Sequence, residues 1–127
     1  MTSDPAASFA GLELYGPFER IVSDGTLNQF AFQAGEKHAD RLGKVARGAL
    51  AAFTQAAFEA TASDGEPGAD IVSLVCDFVG DAKAGDRIQA EVRVVRRTTS
   101  LMFLAADVTE NGRIVLTANA LAKRSNF

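Results

Sequence analysis

The chain has too little of several residue types to support the chemistries that depend on them. It carries one cysteine and one histidine in 127 residues. The lone Cys76 cannot close an internal disulfide. Its place in the apolar run from Ile71 to Val79 reads as a buried thiol, which suits a reducing compartment, so a cytoplasmic location is expected. His38 has no second histidine and no cysteine cluster around it, so metal or triad chemistry lacks partners. There is no Walker loop and no Rossmann glycine fingerprint, which leaves nucleotide hydrolysis and redox chemistry unsupported. No metal and no cofactor is expected. With 13 Lys and Arg against 16 Asp and Glu, a net charge of -3, there is no basic surplus for nucleic acid. The longest uncharged segment, Gly48 to Phe58, falls well short of the roughly 18 residues a membrane-spanning helix needs and reads instead as a helix buried in protein. Met1 to Ala10 has neither a basic start nor a long apolar stretch, so a signal peptide is not expected there.

What is present fits one domain over residues 1–127, since single domains cluster at about 100–150 residues. A composition of 47% hydrophobic and 23% charged residues is that of an ordinary soluble globular protein. Ala6 to Tyr15 reads as a short amphipathic helix that breaks at Gly16-Pro17. Phe18 to Val22 and Thr26 to Ala34 read as a hairpin joined at Ser23-Asp24-Gly25. Gly35 to Lys44 is polar and reads as a loop. Val45 to about Ala62 is rich in Ala and free of Pro and Gly after Gly48, which predicts a helix. Ser63 to Gly68 stops it. Ile71 to Val79, Arg87 to Arg97, Leu101 to Thr109 and Arg113 to Lys123 alternate with period two, as strands with one buried face do. Asn111-Gly112 predicts a type I′ hairpin turn, because both positions tolerate positive φ. A helix this poor in charge should have no side in water, so the sheet must curl around it or a second subunit must cover it.

Two stretches then carry a resemblance. Lys37-His38-Ala39-Asp40-Arg41-Leu42-Gly43-Lys44-Val45-Ala46-Arg47-Gly48-Ala49-Leu50 is similar to a pre-helix loop of pattern H-x-N-x-x-G-x-x-H-G-G-A-L. Phe78 to Arg97, with Ala82-Lys83-Ala84-Gly85-Asp86 before a strand ending in Val95-Arg96-Arg97, is similar to F-x-x-P-A-x-x-G-D followed by V-x-R. Together with the order of elements, these resemble the hotdog-fold thioesterases of the PaaI type over roughly Gly16 to Arg124. The resemblance implies an α+β hotdog fold, an antiparallel sheet wrapped around one central helix. It also implies a homodimer joined edge to edge, commonly a dimer of dimers, with acyl-CoA bound at the dimer interface.

Thioester hydrolysis needs amide donors that polarise the carbonyl and a carboxylate that attacks or activates water. In the family the donor is a glycine amide at the start of the central helix, a position whose free N–H groups and dipole suit an oxyanion. Gly48 matches the second glycine of H-G-G, while Arg47 and Ala46 replace the first glycine and the histidine. The family's helix carboxylate, seven residues further on, falls on Gln55, and its loop asparagine falls on Asp40. The resemblance therefore implies an exchange in which Asp40 supplies the carboxylate and Gln55 the carboxamide. The other reading is that Asp40 caps its loop or pairs with Arg41, that Gln55 is an ordinary polar residue, and that catalysis is lost. His38 and Arg47 are candidates for contacting substrate, although a lone histidine at a loop entrance also packs structurally. Ser73, expected to share a strand face with Ile71, is a further candidate for contacting substrate; the family often has a Ser or Thr near Ile71, and Ile71 departs from that pattern. Arg96, Arg97, Thr98 and Thr99, with the tail pair Lys123-Arg124, could hold the phosphates of CoA or simply end a strand in solvent. The expected function is hydrolysis of an acyl-CoA thioester, and its rival is a non-catalytic acyl-CoA binder on the same fold.

Overall fold

The computed structural model describes residues 18–23, 27–63 and 69–124. The expected helix at Ala6 to Tyr15 and most of the turns at 23–25 and 63–68 lie outside them. In chain order the elements are β1 (Glu19–Ser23), β2 (Leu27–Gln33), a single 3₁₀ turn (Glu36–His38), α1 (Arg47–Ser63), β3 (Ala69–Phe78), β4 (Arg87–Arg97), β5 (Leu101–Glu110) and β6 (Arg113–Arg124). The six strands form one sheet of order β1-β2-β4-β5-β6-β3, and every pairing is antiparallel. Among the described residues, one α-helix lies against one antiparallel sheet, the α+β hotdog architecture expected from the sequence.

The period-two pattern explains the layering. Ile88, Ala90 and Val92 on β4, and Leu104, Ala106 and Val108 on β5, are buried on the face that meets α1. Gln89, Glu91 and Asp107 alternate with them on the opposite face. The helix answers with Leu50, Phe53, Ala57 and Phe58, each at most 1% exposed. Its alanines let the backbone lie close to the sheet, and Phe53 fills the space between. The Phe53 ring sits 4.6 Å from Phe32 and 5.9 Å from Phe18, centroid to centroid. Phe103, by contrast, stands on the outer face and is exposed. Asn111 and Gly112 take positive φ (52° and 79°) between β5 and β6, as the expected type I′ turn requires.

Two expectations change. β3 lies at the edge of the sheet and pairs only with β6, so Cys76 is half-buried rather than enclosed. Burial, then the neighbouring Asp77, still pushes its thiol pKa up. Ile71 and Ser73 do not share a face. The register slips between them, with Ile71 opposite Ala122 and Ser73 opposite Leu121. This β-bulge inserts one extra residue and so reverses the alternation beyond it. Ile71, Leu74 and Cys76 pack toward the core, and Ser73 is exposed on the other side.

The helix also keeps a side that the described sheet does not cover. Arg47, Gly48 and Gln55 are exposed, and Ala51, Ala52 and Glu59 are half-exposed. These positions recur at helical spacing and form one stripe along α1.

Candidate active site

The segment entering α1 is held by its own backbone. The 3₁₀ turn at Glu36–His38 is closed by the His38 and Ala39 N–H groups, which donate to Gly35 O and Glu36 O at 3.0 Å each. The Gly35 N–H donates to His38 Nδ1 at 2.8 Å. His38 is only 4% exposed, with Phe32 edge-on at 5.6 Å. Because Nδ1 accepts, the ring is neutral with its proton on Nε2. Burial, reinforced by the charge of Lys37, lowers the imidazole pKa. The His38 Nε2 meets no hydrogen-bond partner among the described residues.

From His38 the chain doubles back. Ala39 pairs with Val45, the Asp40 N–H donates to Lys44 O at 2.7 Å, and the Ala46 N–H donates to His38 O at 2.8 Å. Gly43 sits at the bend with φ of 78°, a conformation that favours glycine. Asp40 Oδ1 accepts from the Leu42 N–H at 2.8 Å and the Lys44 N–H at 3.1 Å. Those two hydrogen bonds, aided by the charges of Lys44 and Arg41, hold the Asp40 carboxyl below the usual aspartate range. Asp40 therefore organises the loop that carries it, while its second oxygen faces solvent.

Ala46 then starts the helix, its carbonyl accepting from the Ala49 N–H (3.0 Å) and the Leu50 N–H (3.1 Å). Gly48 is the second helical residue and is exposed. A Cβ at that position would meet nothing within 4 Å, so the space beside it is open. Among the described residues no acceptor takes the Gly48 N–H, as expected for a first-turn amide. The neighbouring Arg47 places its guanidinium 5.3 Å from the centre of the Phe78 ring.

Gln55 lies two turns along the same stripe. Its Nε2 donates to Glu59 Oε1 at 3.0 Å. Glu59 is the residue that the sequence reading passed over. The signal for it was available, because a glutamate four positions beyond Gln55 must share its face of a helix.

The remaining candidates sit elsewhere. Arg96 and Arg97 are exposed at the far end of β4, beyond a bulge at Val95. Thr98 closes the following turn, where its N–H donates to Leu101 O at 2.8 Å and its Oγ1 accepts from the Leu101 N–H at 3.0 Å. Thr99 is exposed. Ser73 faces away from the core on β3.

A second polar centre holds the loop between β3 and β4, which pairs with the pre-helix loop through Lys44 and Lys83. Glu110, 5% exposed at the end of β5, accepts from the Lys83 N–H and from Arg113 Nη2, both at 2.6 Å. Burial pushes its carboxyl up, yet hydrogen bonds from Lys83, Asp86 and Arg113 outweigh burial and lower its pKa. The Asp86 pKa is raised, first by its hydrogen bond to Glu110 and then by burial and the Glu110 charge, with the Lys83 charge opposing. An acid at an inward position of an alternating strand was the sequence signal for Glu110.

A family model described as the acyl-CoA thioesterase N-terminal domain matches residues 40–122. The chain is similar in structure to a conserved protein of Pseudomonas aeruginosa (TM-score 0.83, 15% identity, 98% of this chain and 100% of that one). It is similar to the PaaI protein of the Escherichia coli phenylacetic acid degradation operon (TM-score 0.78, 15% identity, 84% and 82%). A hypothetical thioesterase of Streptococcus pneumoniae solved with coenzyme A is also similar (TM-score 0.79, 13% identity, 90% of each chain). No curated protein matches the chain.

Proposed function

Because the chain belongs to the acyl-CoA thioesterase family, we propose that it hydrolyses an acyl-CoA thioester to the free acid and CoA at the start of α1. The observation that carries this reading is the open first turn of the helix, where Gly48, with no Cβ, presents an N–H that no acceptor takes among the described residues. A thioester carbonyl approaching there would have its developing negative charge met by that amide and by the helix dipole. Water would be activated by a carboxylate, which we assign to Asp40, with Gln55 orienting the water or the thioester. His38 and Arg47 would border the bound substrate.

The stripe of α1 left open by the sheet, together with the half-paired edge strand β3, supports a homodimer. Joining β3 to its copy would remove an exposed edge that bears Val72 and Val75, both 54% exposed. A dimer of dimers is the fuller form of the same proposal.

One observation favours a second reading, a non-catalytic binder of acyl-CoA. The position seven residues after Gly48 holds a neutral amide, and the Asp40 carboxylate is tied to two backbone N–H groups. Release of free CoA thiol from a panel of acyl-CoAs decides between them. Turnover supports the hydrolase, and saturable binding without thiol release supports the binder.

A further inference from the structure

Lys44 and Lys83 are joined by an isolated antiparallel bridge, where the loop between β3 and β4 grips the loop leading into α1. The Val45 N–H donates to Ala82 O at 2.8 Å and the Ala84 N–H donates to Gly43 O at 3.0 Å. These two bonds flank the lysines, so Lys44 and Lys83 are a non-hydrogen-bonded pair whose own N–H and C=O groups point outward, away from each other. Two ammonium side chains opposite one another weaken such a pair. The bridge therefore needs support from outside.

Both outward sides are occupied. The Lys44 carbonyl accepts the Asp40 N–H at 2.7 Å. The Lys83 N–H donates to Glu110 Oε2 at 2.6 Å. A continuous line of contacts thus runs from the Glu110 carboxylate through Lys83 and Lys44 to Asp40. The same loop reaches the end of β2, where the Gly85 N–H donates to Ala34 O at 3.0 Å and the Ala34 N–H donates to Asp86 O at 3.1 Å. The segment that carries Asp40 is therefore held at both of its ends.

Glu110 is itself anchored. It is buried, and its Oε1 accepts from Arg113 Nη2 at 2.6 Å. Arg113 Nη2 also donates to Asp81 O at 2.7 Å, and Lys44 Nζ lies 3.1 Å from Asp81 Oδ2. Asp86 hydrogen-bonds to Glu110 and feels the Lys83 charge. Lys44, Lys83 and Arg113 are thus matched by Asp81, Asp86 and Glu110, and what this balanced cluster holds is chain. An acid at an inward strand position after Ala106 and Val108 carries a desolvation cost that an aliphatic residue would avoid, and what it supplies is the acceptor that the Lys83 N–H requires.

We propose that Glu110 is a positioning residue of the candidate active site, which from the end of β5 fixes the Asp40 loop and the entry to α1. That this loop serves hydrolysis rests on the thioesterase reading, whereas the hold on it does not.

Amide hydrogen exchange by NMR, thermal melts and thiol release from acyl-CoA, all on the full chain, test this with Glu110→Leu, Glu110→Gln and a control, Val108→Ala. Glu110→Leu should speed exchange at Asp40, Val45, Lys83 and Ala84 by about ten-fold or more, while the central amides of β4 and β5 keep wild-type rates. Its kcat should fall by roughly ten- to a hundred-fold with KM little changed, the signature of a displaced rather than a lost catalytic group. Glu110→Gln keeps one acceptor oxygen and should recover part of both effects. Val108→Ala, which faces α1 from the same strand, should lower Tm yet keep kcat. Wild-type exchange at those four amides in Glu110→Leu overturns the proposal, as does faster exchange spread evenly over the sheet. Wild-type kcat with a loosened loop, or an equal loss of kcat in Val108→Ala, overturns it too. If Glu110→Leu does not fold, Glu110→Gln against wild type decides by the same criteria. If the wild-type chain releases no thiol, the hydrolase reading fails, and the exchange pattern alone decides whether Glu110 holds the loop.

Discussion

Gln55 donates its side-chain amide to the Glu59 carboxylate at 3.0 Å, one helical turn further along the uncovered stripe of α1. The family's acid position is thus neutral but lies in contact with an acid. Gln55→Glu would set two carboxylates face to face, and two such groups cannot both ionise freely, so the pKa of the pair should rise. A carboxylate with a raised pKa is a stronger base. We expect Gln55→Glu to preserve or raise turnover, with the acid limb of the kcat/KM profile shifted to higher pH. The like-charge pair should cost about 0.2–0.5 kcal/mol of stability. Turnover below wild type at every pH would sink the idea that this face carries the reaction.

Asp40 allows a clean separation of loop and chemistry. Asp40→Asn keeps an oxygen to accept from the Leu42 and Lys44 N–H groups, so the loop should survive. If the carboxylate activates water, turnover should fall by roughly 10²–10⁴-fold. Because the native carboxyl is held below the ordinary value of 3.8, the wild-type rate should show no loss of this group between neutral pH and about pH 5. Asp40→Ala should add a folding defect that Asp40→Asn lacks, visible as a lower Tm. Equal turnover in Asp40→Asn and wild type would transfer the role of base elsewhere, with Glu59→Gln the next variant to assay.

His38 makes stability depend on pH. Its folded pKa lies below the ordinary 6.5 because burial, then Lys37, disfavours the charged ring. The folded state therefore binds fewer protons than the unfolded chain just below pH 6.5, and stability falls as pH drops through that point toward the folded pKa. Protonation would also forfeit the bond from the Gly35 N–H to Nδ1. Thermal melts at pH 7.5 and 5.5 should show a drop that His38→Asn reduces, since the asparagine oxygen can still accept from Gly35 without titrating. An identical pH dependence in wild type and variant would argue against it.

Phe53 sets the cost of disturbing the layer between helix and sheet. Fully buried against Phe18 and Phe32, it should lose about 3–5 kcal/mol as Phe53→Ala, measured by urea denaturation. Phe103→Ala on the outer face should cost far less. Comparable losses at both positions would mean that an outer-face interface covers Phe103.

Much of this molecule was legible in the sequence because its signals are local. Period-two alternation from Arg87 to Arg124 marks three strands, and the Ala-rich run after Arg47 marks the helix. Asn111-Gly112 states its own turn, since the φ signs that turn needs are properties of those two residues. The likeness of the loop before Gly48 to the thioesterase pattern rests on spacing along a continuous segment. Other features have no local signature. The bulge beside Ser73 depends on how β3 registers against β6, so alternation alone placed Ile71 and Ser73 on one face when the sheet puts them on two. The capping of the Asp40 loop depends on where the Leu42 and Lys44 N–H groups end up after the chain reverses at Gly43. Lys44, Lys83 and Arg113 are 39 and 30 residues apart in sequence. The tertiary structure alone brings them together, because loop closure and strand pairing decide which distant charges must share one space.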